Sequence, residues 1–226
     1  MDYLGLVNRL LQEAGITSSK LLSLSNAVGE AARCIDWIAQ AWEEIETAEV
    51  DWDWLRGSVS FPTVAQKPTY TPAECGLTDF ARWKTDSFRT YVTAVGMASE
   101  IWLEPIQYDD WRNKYQFSSF RTTYSRPLVV TVTPAKALGF GPIPGPEGYT
   151  VVGEYFKVPQ VLVADTDTPK MPERYHMAIV YLALRYYALY EAAPEALQRA
   201  EDGYRRLMTR IRLDQLPAVQ MAGALA

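Results

Sequence analysis

The chain has 226 residues, of which 48% are apolar and 22% charged, and its formal net charge is −5. This length allows one large domain or two small ones with a real hydrophobic core, and the composition excludes an intrinsically disordered protein. A net acidic chain argues against a protein that grips nucleic acid, since that function needs clustered lysine and arginine. The acidic excess lies in residues 1–55, which hold ten acidic and three basic side chains.

The first predicted helix spans residues 2–14, where apolar side chains recur at helical spacing. Asp2 is a suitable N-cap for this helix, and Gly15 a suitable end. A second helix is predicted to open at Ser23 or Ser25 and to run to about Glu49. It is amphipathic over five turns or more.

The local composition changes after residue 55, where prolines, threonines, aromatic residues and glycines replace the helical pattern. This pattern predicts short strands at residues 57–61, 87–93, 101–103, 128–133, 149–152 and 154–158. A short helix is predicted at residues 108–115. The run GFGPIPGPEG at residues 139–148 predicts an exposed loop, since glycine and proline at this density extend neither a helix nor a strand.

The helical pattern returns with a long helix at residues 171–193, which is apolar on most of its surface and therefore predicted to be buried on several sides. A final helix is predicted from Pro194 to about Leu213. Four basic side chains crowd its last turns, where cations suit the helix dipole: Arg205, Arg206, Arg210 and Arg212. Pro217 breaks the helix, and the nine residues that follow are small, mostly apolar and uncharged.

Two helices, a β-rich middle and two further helices predict an α+β fold. The simplest way to bury the apolar helix faces is one antiparallel bundle made from both ends of the chain, with the β-rich part inserted into it. The predicted divisions are residues 1–55 and 169–213 for the bundle, 56–168 for the insertion, and 214–226 for a C-terminal tail.

Motifs that would indicate catalysis or ligand binding are weak in this sequence. The run DTDTP at residues 165–169 lacks the further oxygen ligands of a calcium loop and is interpreted as a turn before the next helix. The two cysteines form no disulfide framework, and the single histidine, His176, excludes a His-rich metal site. No stretch approaches the roughly 20 apolar residues of a transmembrane helix, and no signal peptide is apparent. We therefore expect no enzyme activity, no metal and no cofactor.

Residues 80–91, FARWKTDSFRTY, leave two interpretations open. Basic residues interleaved with aromatic ones can hold single-stranded nucleic acid. The same alternation is typical of a half-buried strand, which is the interpretation we favour.

Several stretches resemble one protein family. They are YLGLVNRLLQEAGI and RCIDWIAQAWEEIE in the first two helices, DWDWLR before the first strand, and EYFKVPQVLVADTDTPKMPERYHMAIVYLALRYYALYE before the final helix. Together they resemble the head-to-tail adaptor proteins of tailed bacteriophages, over most of the chain and in the same order. Residues 62–126 contribute least to this resemblance.

The resemblance implies a structural protein of the virion neck, assembled in the host cytoplasm. Such adaptors form a ring, commonly of twelve copies, beneath the portal protein, and present a platform to a tail or nozzle protein. DNA passes through the channel without specific binding, and an acidic chain suits that passage. No enzyme activity, cofactor or membrane contact is implied.

Candidate contact residues follow from the resemblance, since the C-terminal segment of related adaptors reaches into the portal. We expect portal contacts from the last helix and the tail: Arg205, Arg206, Arg210, Arg212, Leu213, Leu216, Val219 and Met221. The arginines could instead pair within their helix with Glu201 and Asp202. A tail-facing loop is expected at Phe140, Ile143 and Pro144.

Four of the seven tryptophans lie within residues 34–56. We expect Trp42 to pack in the bundle, and Trp52 and Trp54 to staple the helix end to the first strand of the insertion. Trp37 is expected near a subunit boundary of the ring. The alternatives to a portal-bound adaptor are a tail-side neck or tail-completion protein and, in a different class, a phage nucleic-acid-binding accessory protein.

Overall fold

The computed structural model describes residues 1–16, 20–117 and 119–217. Five α-helices occur in this part of the chain: α1 (Tyr3–Ala14), α2 (Glu30–Ala48), α3 (Tyr108–Trp111), α4 (Met177–Tyr190) and α5 (Pro194–Gln215). The strands are β1 (Arg56–Pro62), β2 (Thr69–Tyr70), β3 (Phe80–Val92), β4 (Ile101–Trp102), β5 (Glu104–Pro105), β6 (Tyr124–Ser125), β7 (Val129–Val132), β8 (Leu138–Gly141), β9 (Ile143–Pro144) and β10 (Tyr149–Lys157). The fold is thus α+β.

The chain divides into two compact units. One, the helical unit, combines Met1–Leu55 with Pro159–Ala226, and the other, the β-rich unit, is Arg56–Val158. The predicted boundary at residue 168 therefore lies about ten residues too late. Residues 159–168 belong with the helices because they bond to the start of α1: the Tyr3 N–H donates to the Asp167 carbonyl at 2.7 Å, and the Leu4 N–H to that of Asp165 at 3.1 Å.

Helix α4 lies at the centre of the helical unit, where it packs against α1, α2 and α5. Its burial on several sides agrees with its apolar surface. The fully buried side chains at these contacts include Leu6 and Leu10 of α1, Ile38 and Ile45 of α2, and Ile179 and Leu182 of α4 itself. Each such aliphatic side chain contributes about 1.5–3 kcal/mol when it leaves water. The predicted start at residue 171 is too early, because Glu173–Tyr175 forms a 3-10 turn before α4 begins at Met177.

The ends of α1 are those that the sequence predicts. The Asp2 side chain accepts a hydrogen bond of 2.8 Å from the Gly5 N–H, and Gly15 ends the helix with a φ of 68°. The predicted start of α2 at Ser23 or Ser25 is wrong, since the helix begins at Glu30. Residues before it are held by side chains elsewhere: the Leu21 N–H donates to Asn8 Oδ1 at 2.7 Å, and that of Leu24 to the Asp165 carboxylate.

The β-rich unit contains two four-stranded sheets and a short parallel pair. One sheet has the order β1-β10-β3-β4, and the other has the order β2-β8-β7-β5. Side chains from both sheets share one core, which includes Phe61, Tyr70, Trp83, Phe88, Phe140 and Val151.

The structure corrects several predicted strand boundaries in this unit. Strand β3 begins at Phe80, seven residues before the predicted start, because its first half pairs with the second half of β10. The two strands predicted at 149–152 and 154–158 form one strand, β10, which runs through Gly153. A Cβ at Gly153 would lie 2.5 Å from the Phe88 ring, so the glycine is required by packing. The predicted helix at 108–115 is α-helical only to Trp111, and a π-helix follows over Arg112–Gln116.

The predicted loop at residues 139–148 is wrong in its first half, which β8 and β9 occupy, whereas residues 145–148 connect β9 to β10 without regular structure. Two of its four glycines allow aromatic rings to approach the backbone. A Cβ at Gly139 would lie 2.9 Å from Trp111, and one at Gly141 would lie 2.4 Å from Tyr115. These two glycines thus reflect close packing in a sheet.

Candidate interaction surfaces

Helix α5 exposes arginines on two neighbouring stripes. Arg205 and Arg212 are seven residues apart and line a groove of about 330 Å³ together with Arg185 of α4, Tyr204 and Met208. In this groove the Arg212 Nε lies 2.9 Å from Glu49 Oε1, and the Arg185 Nε lies 3.9 Å from Glu201 Oε1. The groove therefore has three guanidinium groups and two nearby carboxylates.

The second stripe carries Arg206, Arg210 and Leu213, all of which are exposed. The Leu213 side chain is 82% exposed at the end of the helix, whereas Leu216 is half-buried. Within residues 1–16, 20–117 and 119–217, neither arginine of this stripe forms an ion pair, nor does Arg205. The alternative of intrahelical pairs with Glu201 and Asp202 is thus not observed. The other two candidate portal residues, Val219 and Met221, lie outside the described residues.

The exposed face of α2 is acidic. Asp36 and Glu43 line a groove of about 420 Å³ with Gln40 and residues 159–162. Val161 beside them is 76% exposed. Neither carboxylate forms an ion pair in the part of the chain that the structure describes. This surface therefore combines unneutralised negative charge with exposed apolar area.

One carboxylate of α2 is buried. Glu46 is 1% exposed, and its Oε2 accepts a hydrogen bond of 2.6 Å from the Gln160 N–H. Burial raises the pKa of Glu46 to about 8, against the smaller opposing effects of this hydrogen bond and of the Lys170 charge. The sequence did not distinguish this residue from the exposed acids of the same helix.

The clustered tryptophans have different environments within the helical unit. Trp42 and Trp52 are fully buried, and Trp52 stacks on Trp54 with ring centroids 4.4 Å apart. The Trp52 Nε1 donates to the Ile45 carbonyl at 3.0 Å, which closes the end of α2. The role of these three residues as a staple to the insertion stays a prediction.

Trp37 belongs to a half-exposed aromatic cluster on α2 and α4. Its ring lies 6.1 Å from that of Tyr187 and 5.8 Å from that of Tyr190. The Arg33 guanidinium lies 4.7 Å above the Tyr190 ring. Tyr190 is 57% exposed. Aromatic and arginine side chains are frequent at the centres of protein interfaces, and the proposed place of Trp37 near a subunit boundary is compatible with that chemistry.

The three candidate residues of the tail-facing loop are buried in the β-rich unit. Phe140 is fully buried in the core, and Ile143 and Pro144 are buried in β9. Their side chains therefore form no exposed docking loop, and this expectation is corrected.

Two of the four aromatic side chains of the 80–91 stretch are likewise turned to the core. Trp83 and Phe88 are buried there, and the Trp83 indole donates to the Lys136 carbonyl. Lys84 lies 2.8 Å from Asp86, and Arg89 lies 3.1 Å from Glu100. Buried rings offer no stacking platform for bases, and this arrangement agrees with a half-buried strand.

Residues 111–126, of which residue 118 lies outside the described part, carry an exposed basic and aromatic surface that the patterns above do not predict. They contain four basic residues, no acidic residue and five aromatic residues. Among them, Phe117, Phe120 and Tyr124 are 63%, 45% and 41% exposed. The Arg112 guanidinium lies 4.7 Å above the Phe117 ring. Local charge and aromatic content are the sequence signals that indicate this surface.

No cluster of potential metal ligands occurs among residues 1–16, 20–117 and 119–217. Within the same ranges, every helix is too short or too polar to cross a bilayer.

Comparison with known proteins gives one informative result. The model of the SU10 adaptor protein family matches residues 1–225. No curated protein matches the chain. The family is one of phage head-to-tail adaptors and not of enzymes. Because the match covers nearly all of its length, the chain belongs to the SU10 adaptor protein family.

Proposed function

We propose that this protein forms a ring of twelve copies between the portal and the tail of a bacteriophage, through which the genome passes. Membership of an adaptor family supports this role. The observation that carries the portal contact is the exposed stripe of Arg206, Arg210 and Leu213 at the end of α5. Three exposed side chains with two unpaired cations and one large apolar group are suited to a partner surface that is partly acidic and partly apolar.

The portal contact is proposed to continue beyond this stripe. Leu216 and Pro217 follow it, and the residues after Pro217, AVQMAGALA, include the candidates Val219 and Met221. A sequence of this composition gains free energy when its apolar side chains leave water on a partner. The proposed portal site thus joins a charged helix end to an apolar segment.

The charge of the chain supports passage of DNA without tight binding. The net charge is −5, and the acids of α2 include the exposed Asp36 and Glu43. Polyanionic DNA binds where lysine and arginine neutralise phosphates, and an excess of carboxylates opposes that. We therefore propose that the protein contacts DNA only transiently, in the virion neck.

The test is the mass of the species formed when the purified chain is mixed with the portal ring of the same phage. The expected result is a portal-bound assembly with about twelve added copies, the number that is common in the closed rings of related adaptors. No association with an intact portal ring would contradict the proposal. It would favour a tail-side neck protein, for which the tail tube or nozzle is the partner to test next.

A further inference from the structure

Two charged surfaces of the helical unit have the same spacing and opposite sign. On α5, Arg205 and Arg212 are seven residues apart and line one groove. On α2, Asp36 and Glu43 are also seven residues apart and line another. Seven residues of α-helix span about 10.5 Å, close to two turns, so each pair projects from one face of its helix.

The basic side has guanidinium groups that can accept further carboxylates. Arg205 is exposed and has no ion pair among the residues that the structure describes. Arg212 bonds to Glu49 through Nε, and its side chain is 51% exposed. Because a guanidinium has five N–H donors, Arg212 can bind a second carboxylate without losing the first.

The acidic side is correspondingly unsatisfied. Asp36 and Glu43 are exposed on α2, and they stand beside the exposed Val161. Met208 and Tyr204 supply the apolar lining of the arginine groove. Each surface therefore has both a charged pair and an apolar part.

We propose that Asp36 and Glu43 of one copy bind Arg212 and Arg205, respectively, of a second copy of this chain. The inference rests on the proposed ring, for which it supplies the lateral contact. The two surfaces are different parts of one subunit, so the contact is heterologous. Heterologous contacts close into rings when the rotation between neighbours permits it.

The chemistry favours a carboxylate-bearing helix over nucleic acid as the occupant of the arginine groove. Glu201 and Glu49 stand among its arginines and would repel a row of phosphates. The equal spacing provides a register for two separate ion pairs between packed helices. Charge pairs at such a contact fix the partner and its alignment as well as the affinity.

The test reverses one charge of each surface, first in two single variants of the whole chain and then in a mixture of these variants. Arg205→Glu and Glu43→Arg are each compared with the wild type by sedimentation over a series of protein concentrations, at about 50 mM salt, where screening is weak. Each variant should self-associate at least tenfold more weakly, because it places like charges opposite each other. An equimolar mixture of the two variants should recover association, since Glu at position 205 of one copy then meets Arg at position 43 of the other.

Asp202→Arg is the matched control, because it makes the same charge change as Glu43→Arg at an exposed position of α5 outside both grooves. Its self-association should equal that of the wild type. All three positions are exposed, and equal thermal midpoints would verify that the variants are folded. Unchanged association of both single variants, or no recovery in the mixture, would overturn the proposed contact.

If the wild type is monomeric in free solution, its loading onto the portal ring is compared with that of the variants, because neighbouring copies stand side by side on the ring. Cooperative loading of the wild type and of the mixture, with non-cooperative loading of each single variant, supports the contact. Equally cooperative loading of all samples overturns it and leaves the adaptor function intact. Failure of the wild type to load onto the portal ring contradicts the adaptor function itself. A wild type that associates neither in free solution nor on the portal ring overturns both the lateral contact and the adaptor function.

Discussion

The Gln160 N–H donates a hydrogen bond of 2.6 Å to Glu46 Oε2 inside the helical unit. This bond attaches the segment after β10 to α2. It also places a carboxyl group where water is excluded, since Glu46 is 1% exposed. The protonation of one side chain is thereby linked to the stability of the helical unit.

Glu46 should make the protein less stable as the pH rises. Its pKa is about 8 in the folded protein and about 4.5 without burial. The folded state therefore holds the proton more tightly, and stability falls from about pH 4.5 to about pH 8 before levelling. The expected loss is roughly 5 kcal/mol, since the two pKa values differ by about 3.5 and one pKa unit corresponds to about 1.4 kcal/mol.

Glu46→Gln keeps the shape of the side chain and its acceptor oxygen but does not titrate. Urea unfolding at pH 5 and pH 8.5 should show a smaller decline in the variant than in the wild type. Glu30→Gln, on the exposed side of the same helix, is the control. Identical declines in the wild type and Glu46→Gln would contradict the linkage.

Trp52→Ala should lower the free energy of unfolding by about 3–5 kcal/mol, the usual cost of truncating a buried tryptophan. The variant loses the stacking with Trp54 and the hydrogen bond to the Ile45 carbonyl. Trp52→Phe retains a ring but not the donor, so it should cost less. Denaturant unfolding measures both, and a Trp52→Ala midpoint equal to that of the wild type would show that this indole does not secure the end of α2.

Gly153→Ala should destabilise the β-rich unit by about 1–3 kcal/mol through overpacking against Phe88. Phe88 is fully buried, and its ring would lie 2.5 Å from the new Cβ. Phe88→Leu removes the ring, so the double variant should cost less than the sum of the two single variants. Additive losses in thermal unfolding would exclude a clash between these two positions.

Removal of residues 218–226 should leave the fold intact and abolish portal binding. The deletion retains α5, including the contact between Arg174 and Asp214 near its end. Circular dichroism should be unchanged, while affinity for the portal ring falls below detection. The double variant Arg206→Glu, Arg210→Glu should weaken the same binding at least tenfold by reversing two charges. Undiminished portal affinity of the truncated chain would rule out this segment as the contact.

The sequence predicts α1 and α5 well because local signals agree with the tertiary structure. Asp2 and Gly15 cap α1 as expected, and Pro194 begins α5. Ser23 and Ser25 failed as start signals for α2, because Asn8 and Asp165 hold that backbone in another conformation. Such long-range bonds have no signature in a local window.

The candidate surface residues likewise fall into those whose exposure the sequence predicts and those whose burial it does not. The arginines of α5 are exposed as helical spacing indicates, whereas Phe140 and Ile143 are buried in strands. The glycines around these two residues make room for Trp111 and Tyr115. These aromatic residues are too far away in the sequence for a rule about local turns to take them into account. The raised pKa of Glu46 likewise depends on burial that the charge pattern alone does not reveal.

The helical unit is assembled from two separated stretches of chain, whereas the β-rich unit is continuous. During translation, α1 and α2 leave the ribosome before α4, the helix that covers their apolar faces. The β-rich unit can complete its core in the interval, because all of its strands are already present. The apolar faces of α1 and α2 that pack against α4 therefore stay uncovered until α4 has emerged, and surface of this kind is prone to aggregation.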